Sequence, residues 1–319
     1  MRRGGPPEGE NDVIRLDGIE KTFRSDLLRR RRPALRGVSF EVRRGETYAL
    51  LGANGAGKTT TMKILLDLIR PDRGEATVNG VPVRRPGARA RLGYLPEHPY
   101  FFPHLTGGEL VRYYGRLSGM DRAGTDRASR RWIARLGMAD AEGRKIRTYS
   151  KGMLQRIGFA QALVADPEVL VLDEPLSGLD PIGRKELREL MDELKERGVT
   201  MLLSSHILED VERISDRAGF LVDGRITREV EGSEARWIEV SAEGIDPEAL
   251  RAGEGAAERI IRVGENVRIA LRGEEDLPRI RERVAVAGGR ITAVEKKRES
   301  LEELYVENVR SRVTAVDRK

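Results

Sequence analysis

Cysteine is absent from all 319 residues of the chain. No disulfide framework is therefore available, and a reducing cytosol is the natural setting. The sequence also lacks any run of about 18 apolar residues, so nothing in it spans a membrane as a helix by itself. Aromatic residues make up only 5% of the chain, and the aromatic–basic interleaving that stacks on single-stranded nucleic acid is not evident. The stretch Met1-Arg2-Arg3-Gly4-Gly5-Pro6-Pro7 is basic with no apolar segment behind it, which excludes a secretory signal and reads as a disordered tail. What the chain does have is charge. Asp, Glu, Lys and Arg supply 34% of the residues, and the basic ones outnumber the acidic by 58 to 52, for a net +6. That balance permits nucleic acid or an anionic membrane surface as a partner without specifying either. The length suits one large domain or two ordinary ones.

The most informative stretch is Gly52-Ala53-Asn54-Gly55-Ala56-Gly57-Lys58-Thr59-Thr60, which fits the phosphate-binding pattern G-x-x-x-x-G-K-[ST]. An apolar strand, Tyr48 to Leu51, leads in, and Met62, Leu65, Leu66 and Ile69 repeat at helical spacing behind it. The glycines let several backbone N–H groups turn inward, where the helix N-terminus adds its partial positive charge. Lys58 is expected to reach the β- and γ-phosphates of a nucleotide, and the Thr59 hydroxyl to ligate Mg²⁺.

Along the chain, Val13 to Phe23 and Val38 to Val42 read as strands, with Phe23 either a platform for an adenine or a core residue. Between them Arg29 to Arg32 form a run of four like charges, expected as a solvated surface loop or as a contact for lipid headgroups or a partner subunit. Leu92 to Leu95 reads as a short strand closed by Pro96. The aromatic cluster Tyr100-Phe101-Phe102 that follows is either ordinary core or part of a groove. Thr106 and Glu109 fit a capping box that opens a helical stretch. Then Val169-Leu170-Val171-Leu172, Met201 to Leu203 and Phe220 to Val222 read as buried parallel strands alternating with helices, an α/β doubly wound layer. Beyond Gly232 the strands alternate instead, as in Val267, Ile269 and Leu271. Their order with intervening helices suggests a small α+β, ferredoxin-like domain ending in a helix from Ser300. The expected organisation is a tail over 1–11, an α/β P-loop NTPase domain over 12–231 with a helical subdomain near 98–165, an accessory α+β domain over 232–309 and a basic tail over 310–319.

Asp173 and Glu174 follow the all-apolar strand at its carboxyl end, where ligands bind in open α/β sheets. Asp173 is placed to hold Mg²⁺, directly or through water, and Glu174 to polarise a water for in-line attack on the γ-phosphate. His206, one of three histidines, ends another strand and stands where an imidazole could hydrogen-bond the γ-phosphate. Tyr149-Ser150-Lys151-Gly152 opens a helix and makes a second anion site. The chain already has one phosphate site, so this second one is expected to serve a nucleotide bound by another copy.

With these motifs in order the chain resembles the nucleotide-binding subunits of ABC transporters, over residues of about 13 to 231. The resemblance assigns Phe23 as the A-loop aromatic and Gly52 to Thr60 as Walker A, with the nucleotide held by Gly52, Asn54, Gly55, Ala56, Gly57, Lys58, Thr59 and Thr60. It assigns Glu97 to the Q-loop, Ser150 and Gly152 to the signature, Asp173 and Glu174 to Walker B, Asp180 to the end of the D-loop, and His206 as the switch histidine. It implies ATP hydrolysis with Mg²⁺ held at Thr59, Glu97 and Asp173. It also implies a head-to-tail homodimer in which each Ser150 and Gly152 close on the other copy's P-loop. Integral membrane permease subunits would rest in a groove beside the Q-loop, which places the protein at the cytoplasmic face of the membrane. The C-terminal piece resembles that of ABC-2-type exporter ATPases.

Two positions depart from the commonest pattern: Glu97 stands where glutamine is usual, and Ser150-Lys151-Gly152-Met153 stands where Ser-Gly-Gly-Gln is usual. Gln155, two residues on, is expected to point elsewhere around its helix. The alternative, a soluble ABC ATPase acting on ribosomes or nucleic acid, generally needs two cassettes or a long coiled-coil insert. Only one cassette is found, the stretch between Lys58 and Asp173 is too short for such an insert, and no stable nucleic-acid partner is expected.

Overall fold

The computed structural model describes residues 11–24, 31–231, 236–247, 259–264, 266–271 and 274–298. Internal contacts divide the chain into two units, Met1–Gly232 and Ser233–Lys319. In the first unit, β1 (Asp12–Arg24) and β2 (Arg31–Arg43) form a long antiparallel pair. The pair is extended by β4 (Arg73–Val78) and β5 (Val81–Pro82) in the order β2-β1-β4-β5. Alternation along these strands turns Ile14, Leu16, Val38, Phe40 and Val42 inward, into one cluster with Tyr48 and Leu50.

Those last two residues belong to β3 (Thr47–Leu51), which lies within a second sheet. Its other strands are β6 (Leu92–Leu95), β7 (Val169–Leu172), β8 (Thr200–Ser205), β9 (Arg217–Val222) and β10 (Arg225–Glu231). Their order is β10-β9-β3-β8-β7-β6. All neighbours run parallel except β9 and β10. Every residue of β3, β7 and β8 is buried, as a parallel sheet covered on both faces requires. The physical consequence is that β3, β8, β7 and β6 all deliver their carboxyl ends to one edge.

Helix α1 (Lys58–Leu65) follows β3 directly. Helices α2 (Gly107–Leu117), α3 (Arg122–Arg135) and α4 (Lys151–Leu163) fill the stretch between β6 and β7. The α2 capping box is formed: Glu109 N donates to Thr106 Oγ1 at 3.2 Å and Thr106 N to Glu109 Oε2 at 2.7 Å. Helix α5 (Pro181–Glu196) buries Leu187, Leu190, Met191 and Leu194, and α6 (Leu208–Ile214) follows β8.

The arginine run differs from expectation. Arg31 and Arg32 are not in a loop: they begin β2, paired with Arg24 and Phe23. The β1–β2 ladder carries extended backbone that far, and the charges remain solvated on an exposed stretch of strand. Arg29 and Arg30 lie outside the described residues.

The second unit is an antiparallel sheet of β11 (Arg236–Glu243), β12 (Arg259–Val263), β13 (Asn266–Leu271) and β14 (Arg290–Arg298) with helix α7 (Leu277–Val286). The order β12-β13-β11-β14 places β13 between β11 and β12, and β11 between β13 and β14. Each crossover is thus split by a strand running the other way, the ferredoxin-like arrangement. Val267, Ile269 and Leu271 are buried, and Arg268 between them is exposed. The helix expected from Ser300 and the two tails lie outside the described residues, apart from Asn11.

In β6, Gly93 packs directly against α4. A Cβ there would collide with the Ala162 carbonyl oxygen and come within 2.7 Å of Leu170 Cδ2, whereas one at Gly87 would meet nothing within 4 Å. Gly93→Ala is therefore expected to destabilise the protein by about 1–3 kcal/mol, with Gly87→Ala close to neutral. The midpoints of urea unfolding followed by circular dichroism check the difference, and equal midpoints would refute this close approach.

Candidate functional site

The loop after β3 sits between the ends of β8 and β9, and Gly52 N donates to Ser205 O at 3.3 Å. Gly57 caps α1 with φ 116°, a left-handed conformation. A Cβ on it would lie 2.6 Å from Leu35 Cδ2 and 2.8 Å from Ala34 O, so the turn has no room for a side chain. The loop borders a cavity of about 360 Å³ walled by Asn54, Gly55, Gly57, Lys58, Thr59 and Thr60 on one side. Phe23, Arg32, Glu97 and Glu174 contribute to its other walls. Gly52 and Ala56 do not line it. Ala56 packs into the core, and the Gly52 carbonyl accepts a hydrogen bond from Lys58 Nζ at 2.6 Å. Phe23 is 42% exposed on the cavity wall, with Lys21 Nζ 5.8 Å from its ring centroid. Of the two readings of Phe23, this placement excludes the core one.

The end of β7 supplies the acidic side of the site. Asp173 and Glu174 are both buried, and the sheet explains how two adjacent carboxylates are tolerated there. Ser204, buried in the neighbouring β8, donates its hydroxyl to Asp173 Oδ1 at 2.6 Å and accepts the Glu174 N–H at 2.9 Å. Glu174 then turns off the strand with φ +49°, a conformation that side chains rarely adopt and that concentrates at functional positions. Its carboxylate is held from two sides, with Lys58 Nζ 3.3 Å from Oε1 and His206 Nδ1 2.8 Å from Oε2. Three sequence-predicted residues, from the start of α1 and from just after β7 and β8, thus meet at one carboxylate. Asp173 Oδ2 is also buried and has no hydrogen-bond partner among the described residues.

A second, larger cavity of about 1180 Å³ adjoins this edge, and Thr59, Glu97 and Asp173 lie on its wall. Its outer part is lined by Tyr100, Phe101, Tyr114 and Leu117. Tyr100 is 93% exposed, and Phe102 packs edge-on against Tyr113 at 5.8 Å. The aromatic cluster therefore borders a surface groove and is not core. Between the cavity and the carboxylates, the Tyr94 phenol is pushed up to about 12, first by burial and then by the charges of Asp173 and Glu97.

Ser150, Gly152 and Asp180 lie elsewhere. Ser150 caps α4, accepting Met153 N at 3.3 Å, and Asp180 caps α5, accepting Gly183 N at 2.8 Å. Neither they nor Gly152 line the Lys58 cavity.

Three residues escaped the sequence reading. Ser204 carries no motif, and only the β7–β8 pairing shows its role. Arg32 was hidden in a run of like charges. Gln155 is 1% exposed, and its Nε2 donates to Pro175 O at 2.8 Å, tying α4 to the segment just after Glu174.

Comparison with known proteins places this site. A model of the ABC transporter family matches residues 35–177. An ABC transporter ATP-binding protein of Nostoc sp. is 36% identical over 312 residues, covering 95% of this chain and 92% of the relative. One from Synechocystis sp. is 42% identical over 252 residues, 76% of this chain and 71% of its own. The fluoroquinolones export ATP-binding protein of Mycobacterium tuberculosis is 41% identical over 217 residues, 67% of this chain and 69% of its own. Among solved structures, an ATP-binding subunit of an ABC transporter superposes with a TM-score of 0.66 at 26% identity, covering 93% of this chain and 99% of its own. A dimeric ATP-binding cassette bound to ADP and phosphate superposes with a TM-score of 0.64 at 22% identity, over 68% of this chain and 98% of its own, and so shares the fold. The chain belongs to the ABC transporter ATP-binding proteins and is an ATPase.

Proposed function

We propose that the chain works as a head-to-tail homodimer that powers an ABC-2-type exporter through separate membrane permease subunits. The single observation that carries the catalytic part is the meeting of Lys58 and His206 at the Glu174 carboxylate, on the wall of the P-loop cavity. In this reading Phe23 takes the adenine, and the backbone from Asn54 to Thr60 takes the phosphates with the Lys58 ammonium. Glu174 accepts a proton from water as the water oxygen bonds to the γ-phosphorus. The bond from that phosphorus to the bridging oxygen breaks, and ADP and inorganic phosphate leave. His206 Nδ1 fixes the orientation of the carboxylate. Ser204 acts one step further back, holding both Walker B residues through one hydroxyl.

The residues fit Mg²⁺. Asp173 Oδ2 is buried without a hydrogen-bond partner among the described residues, and Thr59 lies on the wall common to both cavities. No group of three or more His, Asp or Glu among the described residues could hold a metal alone. Thr59, Asp173 and Glu97 would therefore share the ion with phosphate oxygens and water. When bound, the ion supplies positive charge to the phosphoryl oxygens.

Dimerisation is supported by where the second anion site stands. Ser150 and Gly152 present a helix N-terminus away from the P-loop cavity, where a second copy's nucleotide could meet it. The permease is assigned to the aromatic-lined groove, because Glu97 and Thr59 lie on both its wall and that of the nucleotide cavity. A membrane helix seated there would touch the residues that sense nucleotide. The export direction rests on the fluoroquinolone-export relative. No helix among the described residues is long and apolar enough to cross a membrane.

Glu174→Gln is expected to lower kcat by roughly 10²- to 10⁴-fold while ATP binding persists. Steady-state phosphate release beside a direct binding titration checks this, and turnover at the wild-type rate would remove Glu174 from its role. Ser204→Ala leaves Glu174 in place but frees both of its neighbours' polar groups. It is expected to cost about 1–3 kcal/mol of stability and to lower kcat more than it raises KM. An unchanged kcat would show that the hydroxyl does not position the carboxylates.

A further inference from the structure

One cation on the wall of the P-loop cavity has no task in the chemistry described above. Arg32 lies directly across the β1–β2 ladder from Phe23, and residues directly opposite one another project from the same face of a sheet. Both side chains line the same cavity. Pro33 follows Arg32, and a residue before proline is confined to extended backbone, which agrees with the place of Arg32 in β2. Its guanidinium reaches over the phosphate loop, and a Cβ added at Gly55 would stand 3.6 Å from Arg32 Nη2. Among the described residues Arg32 has no ion-pair partner. Lys58, by contrast, is already committed to Gly52 O and Glu174.

A planar guanidinium facing a loop of inward N–H groups is the donor set that suits phosphate oxygens. We propose that Arg32 is a nucleotide-binding residue, its guanidinium contacting the phosphate chain between the base on Phe23 and the P-loop. This rests on the reading of the cavity as the ATP site. Arg32 stands beside the adenine platform and over the apex of the loop. The contact therefore falls on phosphates that ATP and ADP share, and not on the γ-phosphate alone. Arg31, the preceding residue, faces the other side of the ladder and takes no part.

The test is calorimetric titration of the full chain with ADP and with the β,γ-imido analogue of ATP, comparing wild type with Arg32→Ala, Arg32→Lys, Arg31→Ala and Lys58→Ala. Arg32→Ala is expected to weaken both nucleotides by the same factor, roughly three- to tenfold, and to make binding less sensitive to salt. Arg32→Lys should recover part of the loss, and Arg31→Ala should bind like wild type. A merely structural role for Arg32 would not give the salt effect or the lysine rescue. The proposal is overturned if Arg32→Ala stays within twofold of wild type for both nucleotides, or if only the triphosphate analogue is weakened. Failure of the underlying site is read separately: if Lys58→Ala loses no affinity, the cavity is not the nucleotide site.

Discussion

The ion pair between Lys58 and Glu174 is the contact on which the rest of the site depends. Both side chains are almost fully withdrawn from water, at 6% and 8% exposure. Burying two charges costs several kcal/mol for each ion unless geometry and hydrogen bonds offset it. Here the offsets are identifiable. The ammonium also donates to the Gly52 carbonyl, and the carboxylate also meets His206. Gly52, Glu174 and His206 follow the ends of β3, β7 and β8, which lie side by side and run parallel, and Lys58 opens the helix after the β3 loop. A slip of one residue in either pairing would separate them, so the strand register and the chemistry are one constraint. The same ammonium is the one that a P-loop commits to phosphate. In the proposed reading a nucleotide enters the site by competing with Glu174 for Lys58.

A second consequence concerns what one chain lacks. The edge that gathers Lys58, Glu174 and His206 does not gather Ser150 or Gly152, although α4 is tied to the carboxylate strand. Gln155 makes that tie through the Pro175 carbonyl, a side-chain hydrogen bond that joins α4 to the segment just after Glu174. On the other side, Glu97 and Thr59 belong to the wall of the aromatic groove and to that of the nucleotide cavity. In the proposed reading the nucleotide is flanked by two surfaces, one for a second copy and one for a membrane partner. This gives the proposed motor a mechanical route in each direction.

Much of this was legible in the sequence because the signals are local. The P-loop, the all-apolar strand before Asp173 and Glu174, and the capping box at Thr106 and Glu109 are contained within a few residues each. The period-two pattern of β13 likewise separated the second unit from the parallel layer. What stayed hidden depends on which strands become neighbours. Ser204 is one of two serines after an apolar run, and nothing local marks it as the hydroxyl that joins Asp173 to Glu174. Arg32 looked like solvated charge because a run of arginines carries no pairing information. Only the register with Phe23 brings it over the loop. Gln155 was expected only to point elsewhere around its helix than Met153, and the fold supplies what that expectation left open: its amide is buried against the segment following Glu174. The aromatic cluster after Pro96 was equally compatible with core and groove until the exposure of Tyr100 decided it.

The central claim is that the P-loop site of one chain is completed by Ser150 and Gly152 of another. Complementation tests it most directly. Lys58→Ala and Ser150→Arg should each be inactive as homodimers, but a head-to-tail dimer of the two contains one fully intact composite site. Mixing them in equal amounts is predicted to restore phosphate release to about a quarter of the wild-type rate, as random pairing of independent sites requires. Absence of any recovery over all mixing ratios, with both variants folded and pairing, would contradict the account.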